Sequence, residues 1–231
     1  MTQILTVAVC ICNGVTLSDF VPPMEILSGT NMADMPVIGE LLKGVPYKFA
    51  IDYVAPTKEP VHAMTPRLPT VNPTHTYNEI TSKGVQYDII WIPAGPLPDP
   101  VTGKDLTPVE QIDFIRKQAP GAKYIISVCG GSIQLAMAGL LEGKRATTNK
   151  AFFKFVVNIT SKNIQWVPKA RWVVDGNIWT SSGVAAGSDM ALAFLEHLVG
   201  RKYAQVIRGS IEIPEVNSSE DDPFAEFHGL V

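Results

Sequence analysis

The chain has 231 residues, 46% of them hydrophobic and 18% charged, which is the composition of a folded globular protein rather than a disordered one. Its formal net charge is -3 and its Lys and Arg residues are scattered, so it carries no basic footprint for nucleic acid. No stretch reaches the roughly 18 uninterrupted apolar residues that a membrane helix needs. We therefore expect a cytoplasmic protein that binds neither nucleic acid nor membrane.

Apolar strands and helical patterns alternate along the first part of the chain. In order, the segments are "ILTVAVCIC", "PPMEILSGTNM", "YKFAIDYVA", "YDIIWIPAG", "PVEQIDFIRKQ", "AKYIISV" and "SIQLAMAGLLEG". Strands that are apolar throughout and separated by helices are typical of a parallel sheet buried on both faces. The sequence predicts an α/β fold, a doubly wound and mostly parallel sheet flanked by helices.

The remaining segments extend this fold. Residues 55–80 are rich in Pro and Thr and predict an excursion with one short edge strand. "AFFKFVVNIT" predicts a helix, and Asp175-Gly176 between two aromatic, β-branched runs predicts a hairpin. Ser188-Asp189 is expected to cap a long last helix. We assign residues 1–211 to a single α/β domain and residues 212–231 to an acidic C-terminal tail without a catalytic role.

Cys129 occupies a chemically distinctive position. It ends a strand and is followed by Gly130-Gly131-Ser132 and an apolar helix, the layout of a nucleophile elbow. The positive end of that helix favours thiolate over thiol, so we expect a lowered pKa at Cys129. The backbone N–H groups of Gly130 and Gly95 could hold a negative charge on a substrate. The alternative interpretation is an inert buried cysteine on a tight turn.

Four blocks resemble the ThiJ/PfpI superfamily, which has the class I glutamine amidotransferase-like, flavodoxin-like fold, and within it the branch that includes isonitrile hydratase. They are "SVCGGSIQLAMAGLLEGKRATT", "GVTLSDFVPPMEIL", "YDIIWIPAGP" and "IWTSSGVAAGSDMALAFLEHLVG". The resemblance implies that Cys129 is the nucleophile and Asp19 the acid beside it. A carboxyl desolvated next to a thiolate has a raised pKa and can stay protonated. The competing interpretation makes Asp19 the cap of the following helix.

The resemblance also carries one further expectation, and the sequence departs from the family pattern at three places. Glu25 stands in the family's glutamate position and is interpreted as a structural residue outside the immediate site. Many relatives have a histidine after the Ala-Thr-Thr strand, where this chain has Asn149 and Lys150, so a Cys-His dyad is excluded there. Gly130 replaces a threonine common in hydratases, and Pro22 replaces a glycine.

The remaining cysteines and histidines lack the spacing of a metal site, and we predict neither a metal nor another cofactor. Cys10 and Cys12 are expected to be small buried hydrophobes. The four histidines are interpreted as surface or hydrogen-bonded residues: His62, His75, His197 and His228.

Three functions use the same cysteine. The first is a cofactor-free hydratase or lyase that adds water to a small isonitrile through Cys129 and Asp19. The second is detoxification of reactive aldehydes such as methylglyoxal without glutathione. The third is a redox sensor or stress protein in which the thiol is reversibly oxidised. The resemblance further implies a homodimer acting on a small molecule.

Overall fold

A computed structural model gives the fold and describes residues 2–96, 98–99, 101–102, 104, 106–216 and 218–231. The strands are β1 (Gln3–Cys10), β2 (Tyr47–Ala55), β3 (His75–Thr76), β4 (Ile89–Ile92), β5 (Tyr124–Val128), β6 (Arg145–Ala146), β7 (Gln165–Trp166), β8 (Trp172–Asp175) and β9 (Ile178–Ser181).

The α-helices are α1 (Val21–Ser28), α2 (Ile38–Leu41), α3 (Tyr77–Lys83), α4 (Val109–Gln118), α5 (Gly131–Met137), α6 (Phe153–Ile159), α7 (Val184–Val199), α8 (Arg201–Ile211) and α9 (Pro223–Phe227). Short 3-10 helices cover Leu17–Asp19, Gly29–Asp34 and Ala119–Gly121. Among the described residues, no helix is long and apolar enough to cross a bilayer.

The sheet confirms the predicted α/β architecture. Its order is β3-β2-β1-β4-β5-β9-β8, and all neighbouring pairs are parallel except β8 with β9. That antiparallel pair is the hairpin predicted from Asp175-Gly176, and Gly176 adopts the left-handed conformation the tight turn requires, with φ 65°. Strands β6 and β7 form a separate small parallel pair.

Each face of the sheet has its own core. Val7 and Val9 of β1 contribute to one cluster with residues of α1, α7 and α8. Ala8 and Cys10 point to the opposite cluster, which residues of α3, α4 and α5 cover. Because successive strand residues face opposite sides and both sides are apolar, the strands read as continuous hydrophobic runs.

Two local predictions need correction. Residues 55–80 contain the expected short edge strand β3, but α3 starts within them at Tyr77. The Thr76 hydroxyl accepts from the Glu79 N–H and the Glu79 carboxylate accepts from the Thr76 N–H, a capping box that was present in the sequence.

The long last helix begins earlier than predicted. Helix α7 starts at Val184, so Ser188 and Asp189 lie inside it and do not form its cap. Gly200, with φ 83°, separates α7 from α8 where the sequence predicted one helix. The tail then crosses back over the domain, where α9 forms with its N-terminus capped by the Asp222 carboxylate.

Candidate active site

The candidate site lies at the carboxyl ends of β1, β4 and β5, which are neighbours in the sheet. From β1 the chain proceeds to β2 on one side, and β4 and β5 are added on the other, so the strand order reverses between β1 and β4. Open α/β sheets bind ligands outside such a switch point. Asp19 follows β1, Ala94 follows β4, and Cys129 follows β5.

Cys129 adopts the left-handed conformation of a nucleophile elbow, with φ 59°. Its N–H donates to the carbonyl oxygens of Ser181 and Ser182, at 3.2 and 3.0 Å. The following turn fits closely against β4, because a β-carbon on Gly131 would lie only 2.1 Å from the Ile92 carbonyl oxygen. Backbone bonds and close packing therefore hold a non-glycine residue in an unfavourable conformation, as predicted for the elbow.

Asp19 is completely buried at the end of the 3-10 helix Leu17–Asp19. Its Oδ2 accepts from the Ala94 N–H at 3.0 Å, and its backbone carbonyl accepts from Trp91 Nε1 at 3.0 Å. Helix α1 has Phe20 at its N-cap without a side-chain hydrogen bond, so Asp19 does not act as its cap. The carboxyl instead accepts a hydrogen bond from the backbone just after β4.

Burial raises the pKa of Asp19 to about 7, against the opposing effect of the Ala94 hydrogen bond. This is the direction predicted from the sequence. Oδ1 has no hydrogen-bond partner among the described residues. Because Oδ2 already accepts a hydrogen bond, the acidic proton belongs on Oδ1, the oxygen that no other described group uses.

Asn149 contacts the sulfur directly. Its Nδ2 donates to Cys129 Sγ at 3.2 Å, and its Oδ1 accepts from the Ala151 N–H at 2.9 Å. The second bond fixes which end of the amide faces the sulfur, since only the oxygen can accept from a backbone N–H. Sequence reasoning noted Asn149 only as a missing histidine. Its position directly after the Ala-Thr-Thr segment was the sequence signal that could have indicated a contact with the sulfur.

The thiol does not have the lowered pKa expected from the helix dipole. Burial, and then the charge of Asp19, raise the pKa of Cys129 to about 12. The Asn149 amide and the Gly130 N–H act in the opposite direction by hydrogen bonding to the sulfur. The thiolate is therefore favoured when Asp19 holds its proton, because the repulsion between the two negative charges is then absent.

The other predicted site residues are more dispersed. Gly130 lies beside Cys129 at the start of α5, and Gly95 is buried just after β4, where an added β-carbon would meet Gln134 Nε2 at 3.1 Å. Glu25 is exposed on α1, and its charge contributes to raising the pKa of Tyr53. The structure thus brings Cys129 and Asp19 together, with Gly130 beside them, and leaves Glu25 at the surface.

Lys150, which follows Asn149 where many relatives have a histidine, is buried and hydrogen-bonded. Its Nζ donates to Thr147 Oγ1, the Thr148 carbonyl and the Ala170 carbonyl. Burial lowers its pKa to about 8, and the charge of Asp222 opposes this. These hydrogen bonds of Lys150 therefore stabilise the loop that carries Asn149. In the part of the chain that the structure describes, no three His, Cys, Asp or Glu side chains form a metal-binding group.

Comparison with known proteins places the chain in a family. The sequence profile of the DJ-1/PfpI family matches residues 5–197. The chain belongs to this family. The resemblance drawn from the four sequence blocks is thereby confirmed.

Relatives within the DJ-1/PfpI family include enzymes of different names. An isonitrile hydratase from Pseudomonas putida is 40% identical over 125 residues, which are 54% of this chain and 51% of that protein. A deglycase from Pyrococcus abyssi is 30% identical over 115 residues, 50% of this chain and 63% of the relative. The matched stretch thus spans about half of the hydratase's length and less than two thirds of the deglycase's.

Solved structures of the DJ-1/PfpI family have the same fold. A ThiJ/PfpI family protein from Pseudomonas syringae superposes with a TM-score of 0.69 at 25% identity, covering 99% of this chain and 85% of that one. Drosophila melanogaster DJ-1beta also gives a TM-score of 0.69, at 19% identity, covering 93% and 100%.

Proposed function

We propose that the chain is a cysteine-dependent hydratase that adds water to a small isonitrile and releases an N-substituted formamide. The observation that carries this proposal is the buried Asp19 carboxyl, with its Oδ1 unpartnered and its pKa near 7, acting on the elbow thiol of Cys129. The 40% identity to an isonitrile hydratase supports the same chemistry.

The pair supplies what each step requires. Asp19 Oδ1 gives its proton to the isonitrile carbon while the Cys129 thiolate bonds to that carbon, forming a thioimidate. Water then adds across the C=N bond, its hydroxyl going to carbon and its other proton to nitrogen. Collapse of this adduct breaks the C–S bond, forms the formamide C=O, and returns the hydroxyl proton to Asp19. Both residues finish as they began.

The donor from Asn149 suits this cycle. An amide that is held with its nitrogen toward sulfur can stabilise a thiolate but cannot take up a proton as a histidine would. Cysteine hydrolases use a histidine as the base that activates the thiol, and the same histidine then protonates the amine leaving group. Asn149 therefore favours hydration over amide hydrolysis or aldehyde chemistry that depends on a second base.

The test is formamide production from a panel of isonitriles, including cyclohexyl isocyanide. We expect turnover by the wild type, none by Cys129→Ala, and a loss of at least about 100-fold in Asp19→Asn. Iodoacetamide should still alkylate Cys129 in Asp19→Asn. Isonitrile turnover by Cys129→Ala would end the nucleophile assignment, and unchanged turnover by Asp19→Asn would remove Asp19 from the mechanism.

Assays with methylglyoxal and with peroxide, run beside the isonitrile panel, separate the two alternative functions. Turnover of methylglyoxal without isonitrile hydration would favour aldehyde detoxification. Oxidation of Cys129 by peroxide, with no turnover of either substrate, would favour the redox function.

A further inference from the structure

A cavity of about 280 Å³ lies beside Asn149, the residue whose amide contacts the Cys129 sulfur. Three separate parts of the chain line it. These are the loop after β6, the start of α7, and the C-terminal tail. The tail contributes Asp222, Phe224 and His228, from a segment to which the sequence suggested no catalytic role.

The cavity and the candidate active site share their boundary. Asn149 lines the cavity and also donates to Cys129 Sγ at 3.2 Å. Ser182 lines the cavity and its carbonyl oxygen accepts from the Cys129 N–H. A β-carbon on Gly183 would lie 2.9 Å from Asn149 Nδ2, so the cavity extends close to the amide only because this residue has no side chain.

The tail residues are fixed in place by buried polar contacts. The Asp222 N–H donates to the Lys169 carbonyl, and Asp222 Oδ1 accepts from the Phe224 N–H and lies 3.7 Å from Arg171 Nη1. The Ser219 carbonyl accepts from the Arg171 N–H at 2.7 Å. These bonds hold α9 over the cavity, so the Phe224 ring forms a fixed part of its rim.

We propose that this cavity receives the N-substituent of the isonitrile, and that Phe224 limits it to small, compact apolar groups. The inference rests on the proposed function. Val184, Ala185, Ala186 and Phe224 supply apolar lining, and the volume is just below the usual ligand-pocket range of about 300–1,000 Å³. Phe224 is 53% exposed, so its ring forms a solvent-facing edge of this lining.

The decisive measurement does not require turnover. Cys129 is alkylated with a small maleimide and with N-cyclohexylmaleimide, and each modified peptide is quantified by mass spectrometry. Phe224→Ala should raise the ratio of bulky to small alkylation rates about tenfold, and Phe224→Trp should lower it. The control is Val109→Ala, which shortens an apolar side chain that is 65% exposed on α4 and does not line the cavity.

The kinetic counterpart compares kcat/KM for isonitriles of increasing size. Phe224→Ala should shift the preference toward larger substituents, with the smallest isonitrile hardly affected. Alkylation ratios unchanged by Phe224→Ala, or changed equally by Val109→Ala, would overturn the proposal. If no isonitrile is hydrated at all, the proposed function fails, while the alkylation ratios still decide whether Phe224 controls access to Cys129.

Discussion

At the scale of single residues, two acids share one negative charge across the neutral range. Asp19 has a pKa of about 7 and Cys129 of about 12, and each ionisation opposes the other. The singly charged pair can place its proton on Asp19 and its charge on sulfur, which is the arrangement that hydration requires. Activity should therefore rise with pH through an apparent pKa near 7, and stay high until the second proton is lost.

The raised pKa of Asp19 also predicts how stability depends on pH. Its pKa rises from 3.8 to about 7, so the folded state binds this proton more tightly than the unfolded state. The stabilisation is complete below pH 3.8 and is lost as the pH rises through 7, by about 4 kcal/mol in total. Asp19→Asn should therefore gain stability relative to the wild type between pH 4 and pH 8, measured by urea unfolding.

A control for this prediction is Asn158→Ala, an exposed change on α6 that removes no titratable group. Its stability difference from the wild type should stay nearly constant over the same pH range. A constant difference for Asp19→Asn as well would mean that Asp19 is ionised in the folded protein at neutral pH.

Asn149 should control the reactivity of the sulfur. A hydrogen bond to a charged group contributes about 1.5–3 kcal/mol, so Asn149→Ala should slow alkylation of Cys129 at pH 8 by about tenfold or more. The rate is followed with iodoacetamide and peptide-resolved mass spectrometry. Asn158→Ala, an exposed change on α6, should leave it unaltered. Equal rates in both variants would show that the amide does not stabilise the thiolate.

At the scale of elements, the two glycines of the strand-to-helix turn differ in the space that each leaves for a β-carbon. An alanine β-carbon at Gly131 would lie 2.1 Å from the Ile92 carbonyl oxygen, whereas at Gly130 it would meet the Ala94 β-carbon at 3.4 Å, an ordinary contact. Gly131→Ala should therefore destabilise the fold by about 3 kcal/mol. Gly130→Ala should be tolerated, as the threonine of related hydratases suggests. Thermal unfolding of the two variants checks this, and similar melting temperatures would contradict it.

The sequence was informative wherever a residue's role depended on its near neighbours. The apolar strands, the elbow at Cys129 and the hairpin at Asp175-Gly176 are all local patterns, and the structure has them where they were predicted. The break at Gly200 was less visible, because a glycine inside an apolar helical pattern is often tolerated. The raised pKa of Cys129 depends on burial and on Asp19, 110 positions earlier, which local pattern cannot measure.

At the scale of the whole molecule, a buried charge network joins the tail to the site. Arg171 donates to Asp189 on α7 at 2.7 Å and lies 3.7 Å from Asp222, whose charge also acts on Lys150. These groups come from four distant parts of the chain. No spacing pattern in the sequence indicates that these groups lie close together. For that reason the sequence predicted a peripheral tail.

Removing Asp222 should be costly because it removes the carboxylate that caps α9 and that lies beside the Arg171 and Lys150 cations. Asp222→Ala is expected to lower the free energy of unfolding by about 3 kcal/mol. The neighbouring Asp221 pairs only with Lys169 among the described residues and is 69% exposed, so Asp221→Ala should change it by less than about 0.5 kcal/mol. Urea denaturation measures both, and equal effects would show that the network does not anchor the tail.

The backbone at Cys129 sets a bound on how stable this protein can be. A left-handed conformation costs a residue with a β-carbon roughly 1–2 kcal/mol, and glycine avoids that cost. Cys129→Gly should thus fold more stably than Cys129→Ala, although neither has a thiol. The native chain is therefore held below its attainable stability at one peptide unit, the one that carries a sulfur to the carboxyl end of the sheet.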